Sequence, residues 1–146
     1  MEQWELVARE AIRDLVARYN ANGDSGRIDA VVALFAPDAV LDVMGKPHTG
    51  HDEIRRMFDQ AIRDMAPKAE TPAPAAVQHH TSTVQIDVVD EQHARARSYF
   101  QVLMNGGIDH WGRYVDEFGV VDGRWLFTQR KVTVSGAAAG GWAANR

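Results

Sequence analysis

The chain has 146 residues, 16 Lys and Arg against 20 Asp and Glu, a net charge of -4 and no cysteine. That length suits one domain with a real core, and the absence of thiols rules out disulfides and thiolate metal ligation. The basic residues are scattered, whereas phosphate backbones need a basic face, so nucleic acid is not an expected partner.

Trp4, Ala8, Ala11, Ile12, Leu15, Val16 and Tyr19 recur at three- and four-residue steps and predict an amphipathic helix over 3–21, stopped by Gly23. The start, MEQWELVARE, is charged and has no apolar signal core, and no later run approaches membrane-spanning length. A cytoplasmic protein without a membrane partner is expected. A short second helix carries Ile28, Val31, Val32, Leu34 and Phe35 and is closed by Pro37-Asp38. Residues 39–44 then form a short strand, turned by the 45–50 segment. Ile54, Met57, Phe58, Ala61, Ile62 and Met65 make the stripe of a third helix, with Thr49 and Asp52 at capping-box spacing.

Residues 66–76 contain three prolines and read as a mobile connection, placed to act as a lid because it immediately precedes the histidine strand. Beyond it the pattern changes to period two. Val84, Ile86 and Val88 alternate with polar residues, then Ala94, Ala96, Ser98, Phe100 and Val102, then the segments around Tyr114 and around Trp125 to Val134. Asp90-Glu91, Asn105-Gly106-Gly107 and Asp122-Gly123 supply turns, so three successive antiparallel hairpins are expected. The expected architecture is α+β: three N-terminal helices packed in a curved, mostly antiparallel sheet around a cone-shaped cavity. One domain spans 1–136, and 137–146 is a Gly- and Ala-rich tail, read as disordered, with Trp142 as the alternative plug for a pocket.

Tyr19, Asp24 and the pair His79-His80 are the residues with a chemistry to offer. A carboxylate orients and charge-balances an imidazole, and a phenol handles a second proton. Taken singly, Asp24 is a turn residue and Tyr19 a core aromatic. Strict alternation places His80, not His79, with Val84, Ile86 and Val88. Arg130 reads as an ion-pair partner for Asp116 or Glu117, and His110 as a rim residue. No HExxH, HxH or phosphate-binding glycine loop occurs, so neither a metal nor a cofactor is expected.

The blocks RYNANGD, LFAPDAVLDV, HHTSTVQIDV, GRYVDEF, DGRW and QRKV, in that order, resemble the SnoaL-like, scytalone dehydratase-like branch of the nuclear-transport-factor-2-like superfamily. That branch includes dehydratases, a dehydrochlorinase, polyketide cyclases and the small subunits of ring-hydroxylating dioxygenases. The resemblance covers about residues 5–135. It implies that Asp24 stands at the acidic position, Tyr19 at the tyrosine of the dehydratase-like members and His79 at the shared histidine. A bulge between that histidine and the apolar run would resolve the conflict with alternation. The second histidine of scytalone dehydratase falls near Leu103 and Met104, so that set is incomplete here.

The resemblance implies a cofactor-independent lyase or isomerase in which His79 and Asp24 move a proton on a small, largely apolar oxygenated substrate. Tyr19 is its third catalytic residue, and His80, Met57, Phe58, Phe100, Val102, Met104 and His110 are its substrate contacts. The alternative is a ligand-binding protein or structural subunit. Tyr99 and Leu103, on the face away from Phe100 and Val102, point to a homodimer or homotrimer formed through the sheet's outer face.

Overall fold

The computed structural model describes residues 1–67, 76–105 and 107–144. Helix α1 runs Gln3–Asp24, α2 Ile28–Val32 and α3 Gly50–Met65; the strands are β1 Phe35–Val43, β2 Lys46–Thr49, β3 Val77–Asp90, β4 His93–Met104, β5 Gly107–Val121 and β6 Arg124–Ala137. The six strands form one sheet in the order β2-β1-β6-β5-β4-β3. All neighbours are antiparallel except β1 and β6. The architecture is the expected α+β one, helices followed by a curved open sheet. The three expected hairpins are β3-β4, β4-β5 and β5-β6. Among the described residues, no helix is long and apolar enough to cross a membrane.

The N-terminal third differs from expectation in four places. The second helix ends at Val32, and Leu34 and Phe35 leave it: the Leu34 carbonyl accepts the amide of Phe127, and Phe35 pairs with Phe127 in β6. Tertiary pairing overrides a helical pattern here. Pro37 and Asp38 lie inside β1, where the register with β6 slips between Phe35 and Val40, a bulge in which a residue without an N–H is tolerated. The 46–49 segment is a strand rather than a bare turn, pairing Val40 with Thr49 through Val43 with Lys46. At the start of α3 the capping partner is Glu53, whose carboxylate accepts the Thr49 amide at 2.6 Å, and not Asp52. The lid segment expected at 66–76 lies for the most part, at 68–75, outside the described residues.

The core is built where the helices meet the concave face of the sheet. Ile12, Leu15, Val16 and Tyr19 of α1, Val31 and Val32 of α2 and Ile54 of α3 pack against Ile86, Ala94, Ala96, Phe100, Val102, Tyr114, Phe118 and Phe127. Strand β4 shows why the sheet has two unlike faces. Ala94, Ala96, Ser98, Phe100 and Val102 are buried in strict alternation with exposed Arg95, Arg97, Tyr99 and Gln101.

In β5, Gly112 sits at a register shift with β6, where a Cβ would come 2.0 Å from the Thr133 carbonyl oxygen and 2.9 Å from the Phe100 ring. Backbone against backbone leaves no room for relaxation. Gly112→Ala is therefore expected to destabilise the fold by roughly 2–3 kcal/mol, read as a lower Tm in calorimetry. Gly119→Ala, whose Cβ would meet a Thr128 methyl at 3.1 Å and the Gln92 carbonyl oxygen at an ordinary 3.7 Å, should cost clearly less.

Candidate functional site

Asp24 is the last residue of α1, one turn beyond the expected stop, because the helix continues through Gly23. This sets its carboxylate against the start of β3. Oδ1 lies 2.6 Å from Nδ1 of His79, and Oδ2 accepts the His79 backbone amide at 2.8 Å. One carboxylate thus fixes both the backbone and the ring of a single histidine. An ionised carboxylate only accepts, so Nδ1 carries the proton and Nε2 presents its lone pair. The side chains are partly open, 28% exposed for His79 and 18% for Asp24.

The parity of β3 decides which histidine faces this way. His79 pairs with buried Val102 and Thr81 with buried Phe100, whereas His80 pairs with exposed Gln101 and is itself exposed on the outer face. Between Ser82 and Gln85 the register shifts, with Thr83 at φ 54°. Past that bulge Ile86 pairs with Ala96 and faces the core. A simple alternation that counts back from Ile86 therefore lands on the wrong histidine.

Below the pair lies a polar chain that sequence reasoning did not assemble. Asn20 donates to the Thr81 hydroxyl at 3.0 Å and accepts from the Tyr114 hydroxyl at 3.3 Å. Asn20 is buried among the apolar positions of α1, and that break in the stripe was the available signal. Tyr114 stacks on Phe100 with ring centroids 4.6 Å apart, and the Phe100 centroid is 6.2 Å from that of His79.

Tyr19 lies deeper. Its ring meets Phe35, Phe58, Tyr114 and Phe127 edge-on at about 6 Å, and it is 7% exposed. Burial pushes its phenol pKa far above the ordinary value, with neighbouring Tyr114 adding to the rise, so this hydroxyl stays protonated. Burial likewise raises the pKa of Tyr114. Arg130 crosses this aromatic group, its guanidinium carbon 4.3 Å from the Tyr19 ring centroid and 3.8 Å from that of Tyr114. It pairs bidentately with Asp116 through two 2.8 Å hydrogen bonds, both residues fully or almost fully buried, while Nη1 makes no hydrogen bond among the described residues. Burial alone would lower the arginine pKa; Asp116 outweighs it and raises it.

Of the expected substrate contacts, Phe100, Val102 and Met104 are buried on the inner face, and Phe58 packs on Tyr19. Met57 is partly buried beside the core and also lines a surface depression of about 600 Å³ between α3 and β2. A second depression, about 640 Å³, lies by the N-terminus of α1; neither includes His79. His110 is not on the rim: its side chain is 13% exposed, and its Nδ1 is 2.8 Å from Oδ2 of Asp109. Among the described residues no group of three His, Asp or Glu side chains is placed to hold a metal ion.

Within the described residues the tail is attached to the sheet. The Asp109 carboxylate accepts the amides of Trp142 at 2.5 Å and Ala143 at 3.1 Å, and the Asp109 carbonyl accepts that of Ala138 at 2.7 Å. Burial works to raise the Asp109 pKa, but the hydrogen bonds from His110, Trp142 and Ala143 prevail and lower it. A lowered carboxylate pKa gives an attachment that holds from neutral pH down to the ordinary carboxylate range and fails only below it. Asp109→Asn is expected to weaken the tail attachment at neutral pH, seen as faster amide exchange at Trp142 and Ala143 with little change at the core strands.

The comparisons with known proteins bear on the family and the fold. The hydroxylase β subunit of methanesulfonate monooxygenase from Methylosulfonomonas methylovora is 28% identical over 144 aligned positions, covering 85% of this chain and 78% of that one. A protein provisionally named scytalone dehydratase from Novosphingobium aromaticivorans superposes with a TM-score of 0.79 at 24% identity, covering 94% of this chain and 91% of the other. A hexachlorocyclohexane dehydrochlorinase from Novosphingobium barchaimii superposes with a TM-score of 0.77 at 15% identity, covering 92% and 91%. At those identities the two structures speak to the fold alone. Residues 4–131 match the SnoaL-like domain, and the chain belongs to that family.

Proposed function

We propose that the protein is a cofactor-independent lyase or isomerase of the dehydratase type, acting on a small, largely apolar oxygenated substrate. The observation that carries this reading is the Asp24–His79 pair, with its Nε2 lone pair directed away from the carboxylate at a partly open site. In the proposed reaction His79 removes a proton from an activated carbon, and Asp24 holds the tautomer and balances the imidazolium charge. Tyr19, kept neutral by its surroundings, orients a substrate oxygen as a hydrogen-bonding group and does not serve as a base. Phe58, Phe100, Val102 and Met104 supply the apolar wall; His80, on the outer face, has no part in it. Loss of turnover in His79→Ala and Asp24→Asn with the fold intact is the deciding experiment.

The similarity to a monooxygenase β subunit favours a second reading, a non-catalytic subunit that co-assembles with a larger chain. Purification as a stable assembly of this chain alone would count against it.

We further propose a homodimer or homotrimer through the outer face of the sheet. Tyr99 is 58% exposed, Trp111 42% and Val115 40%. They are carried on adjacent strands, with Trp111 opposite Gln101 and Val115 opposite Arg97. Leu103 is half-buried. Tyr99 stands opposite Arg113, so these large apolar side chains are interleaved with polar ones, and a second copy is the proposed cover for them. Sedimentation at micromolar concentration is expected to show a dimer or trimer, and Tyr99→Lys with Trp111→Lys should shift it to monomer. A wild-type monomer throughout that range would refute the proposal.

A further inference from the structure

Asp24 and His79 meet at the loose ends of two elements. Asp24 is the last residue of α1, followed by Ser25 and by Gly26 at φ 72°, and helix ends fray. His79 is the third residue of β3, which lies at the edge of the sheet and pairs there with β4 alone. A contact between two such ends keeps its geometry only if a group further in fixes both elements.

Asn20 stands one helical turn before Asp24, and Thr81 two strand residues beyond His79. Four helix residues rise about 6 Å and two strand residues about 6.6 Å, so the spacings match, and each pair of positions shares a face of its element. The Asn20 amide nitrogen donates to the Thr81 hydroxyl at 3.0 Å, and the Asp24 carboxylate meets the ring and the amide of His79 at 2.6 and 2.8 Å. The last turn of α1 is thus joined to β3 by two rungs. The outer one is partly open, whereas Asn20 on the inner one is buried. Asn20 is also held from a third side. Its carbonyl oxygen accepts the Tyr114 hydroxyl at 3.3 Å, which burial keeps protonated and able to donate. Tyr114 stacks on Phe100, Phe100 pairs with Thr81, and the Phe100 ring lies beside that of His79. Through Asn20, α1 is placed against β5 as well as β3.

We propose that Asn20 is a positioning residue: acting through Thr81 and Tyr114, it sets the register of α1 on β3 and so keeps the Asp24 carboxylate on Nδ1 of His79. Its use to the reaction rests on the proposed reading of His79 as the base, because the Nε2 lone pair is available only while the proton is held on Nδ1. A leucine at position 20 has a similar volume and makes neither hydrogen bond, so the outer rung would carry the register alone. An asparagine that served only the fold would behave differently: its loss would lower stability and leave the imidazole as it was.

The test reads the imidazole of the full chain labelled with nitrogen-15 at histidine, with no ligand added and the His79 signals assigned by their absence from His79→Ala. The ring nitrogen shifts give the share of His79 protonated on Nδ1, and the resonance of that proton gives its rate of exchange with water. The wild type is expected to hold the proton on Nδ1. Asn20→Leu and Thr81→Val should each produce a mixture of the two tautomers and speed exchange about tenfold, the worth of one hydrogen bond. Thr81→Ser, which keeps the hydroxyl, should restore the wild-type behaviour. If either Asn20→Leu or Thr81→Val keeps the wild-type tautomer and exchange rate, whatever its Tm, the proposal is overturned and Asn20 serves the core alone. Should Asn20→Leu fail to fold, Thr81→Val against Thr81→Ser decides. A wild type without a preferred Nδ1 proton would overturn this proposal and the proposed function together. A tautomer that follows Asn20 in a protein whose turnover survives His79→Ala would uphold the positioning and overturn the function.

Discussion

Asp116→Ala is expected to lower the stability of the fold by about 3–5 kcal/mol, the largest single effect in the molecule. Asp116 and Arg130 are 1% and 0% exposed and joined by two 2.8 Å hydrogen bonds. Removing the carboxylate leaves a guanidinium with no solvent and no counter-charge, held only by the faces of Tyr19, Tyr114 and Phe127. Those faces offset part of the loss, since a desolvated cation–π contact contributes on the order of 2 kcal/mol at most, less than the cost of an uncompensated buried charge. Arg130→Met combined with Asp116→Leu should recover much of the stability, because it removes both charges together. Urea unfolding of the three proteins checks this. A single variant that loses less than about 1 kcal/mol would show that the pair is not the buried, water-free contact described, since exposed ion pairs are worth that little.

What the sequence disclosed and what it concealed divide along physical lines. The C-terminal half was legible because its signals are local: Asp122-Gly123 adopts positive φ at both turn residues, and β4 alternates without interruption. The start of β1 was not, because the run from Val31 to Ala36 is apolar at either period, and only the distant pairing of Phe35 with Phe127 makes it a strand. Strand β2, Lys46–Thr49, has no strand signal and exists through its pairing with β1. The site was partly legible. Asp24 and His79 were named, yet residue alternation pointed to His80, and the bulge that reverses it places the β-branched Thr83 at a positive φ its own chemistry disfavours. Nothing near Thr83 announces this; the resemblance to relatives did. The attached tail was missed for a different reason. Its side chains are small, so composition argued for disorder, but its backbone amides find a buried carboxylate on β5, and Gly141 passes where a Cβ would lie 2.7 Å from that carboxylate.

Asp24→Asn is expected to reduce turnover about 10²–10⁴-fold while leaving the fold in place, and His79→Ala should do at least as much. The asparagine is the informative change. Its carbonyl oxygen can still accept the His79 amide, now 2.8 Å from Oδ2, so the start of β3 stays attached to the end of α1. Its amide nitrogen, however, donates where Oδ1 accepted, at the 2.6 Å contact with Nδ1. The ring must then place its proton on Nε2, and the lone pair needed for proton removal is lost. Asp24→Ala would mix that effect with the loss of a structural hydrogen bond. The assay is the loss of water from hydroxylated cyclic ketones, followed by the ultraviolet absorbance of the conjugated product. Circular dichroism and Tm of each variant report the fold. If Asp24→Asn and His79→Ala both retain activity within about threefold of the wild type, an effect too small for a lost general base, the pair holds α1 to β3 and does no chemistry. A loss in His79→Ala alone would instead leave the imidazole as the base and reduce Asp24 to an anchor for the strand.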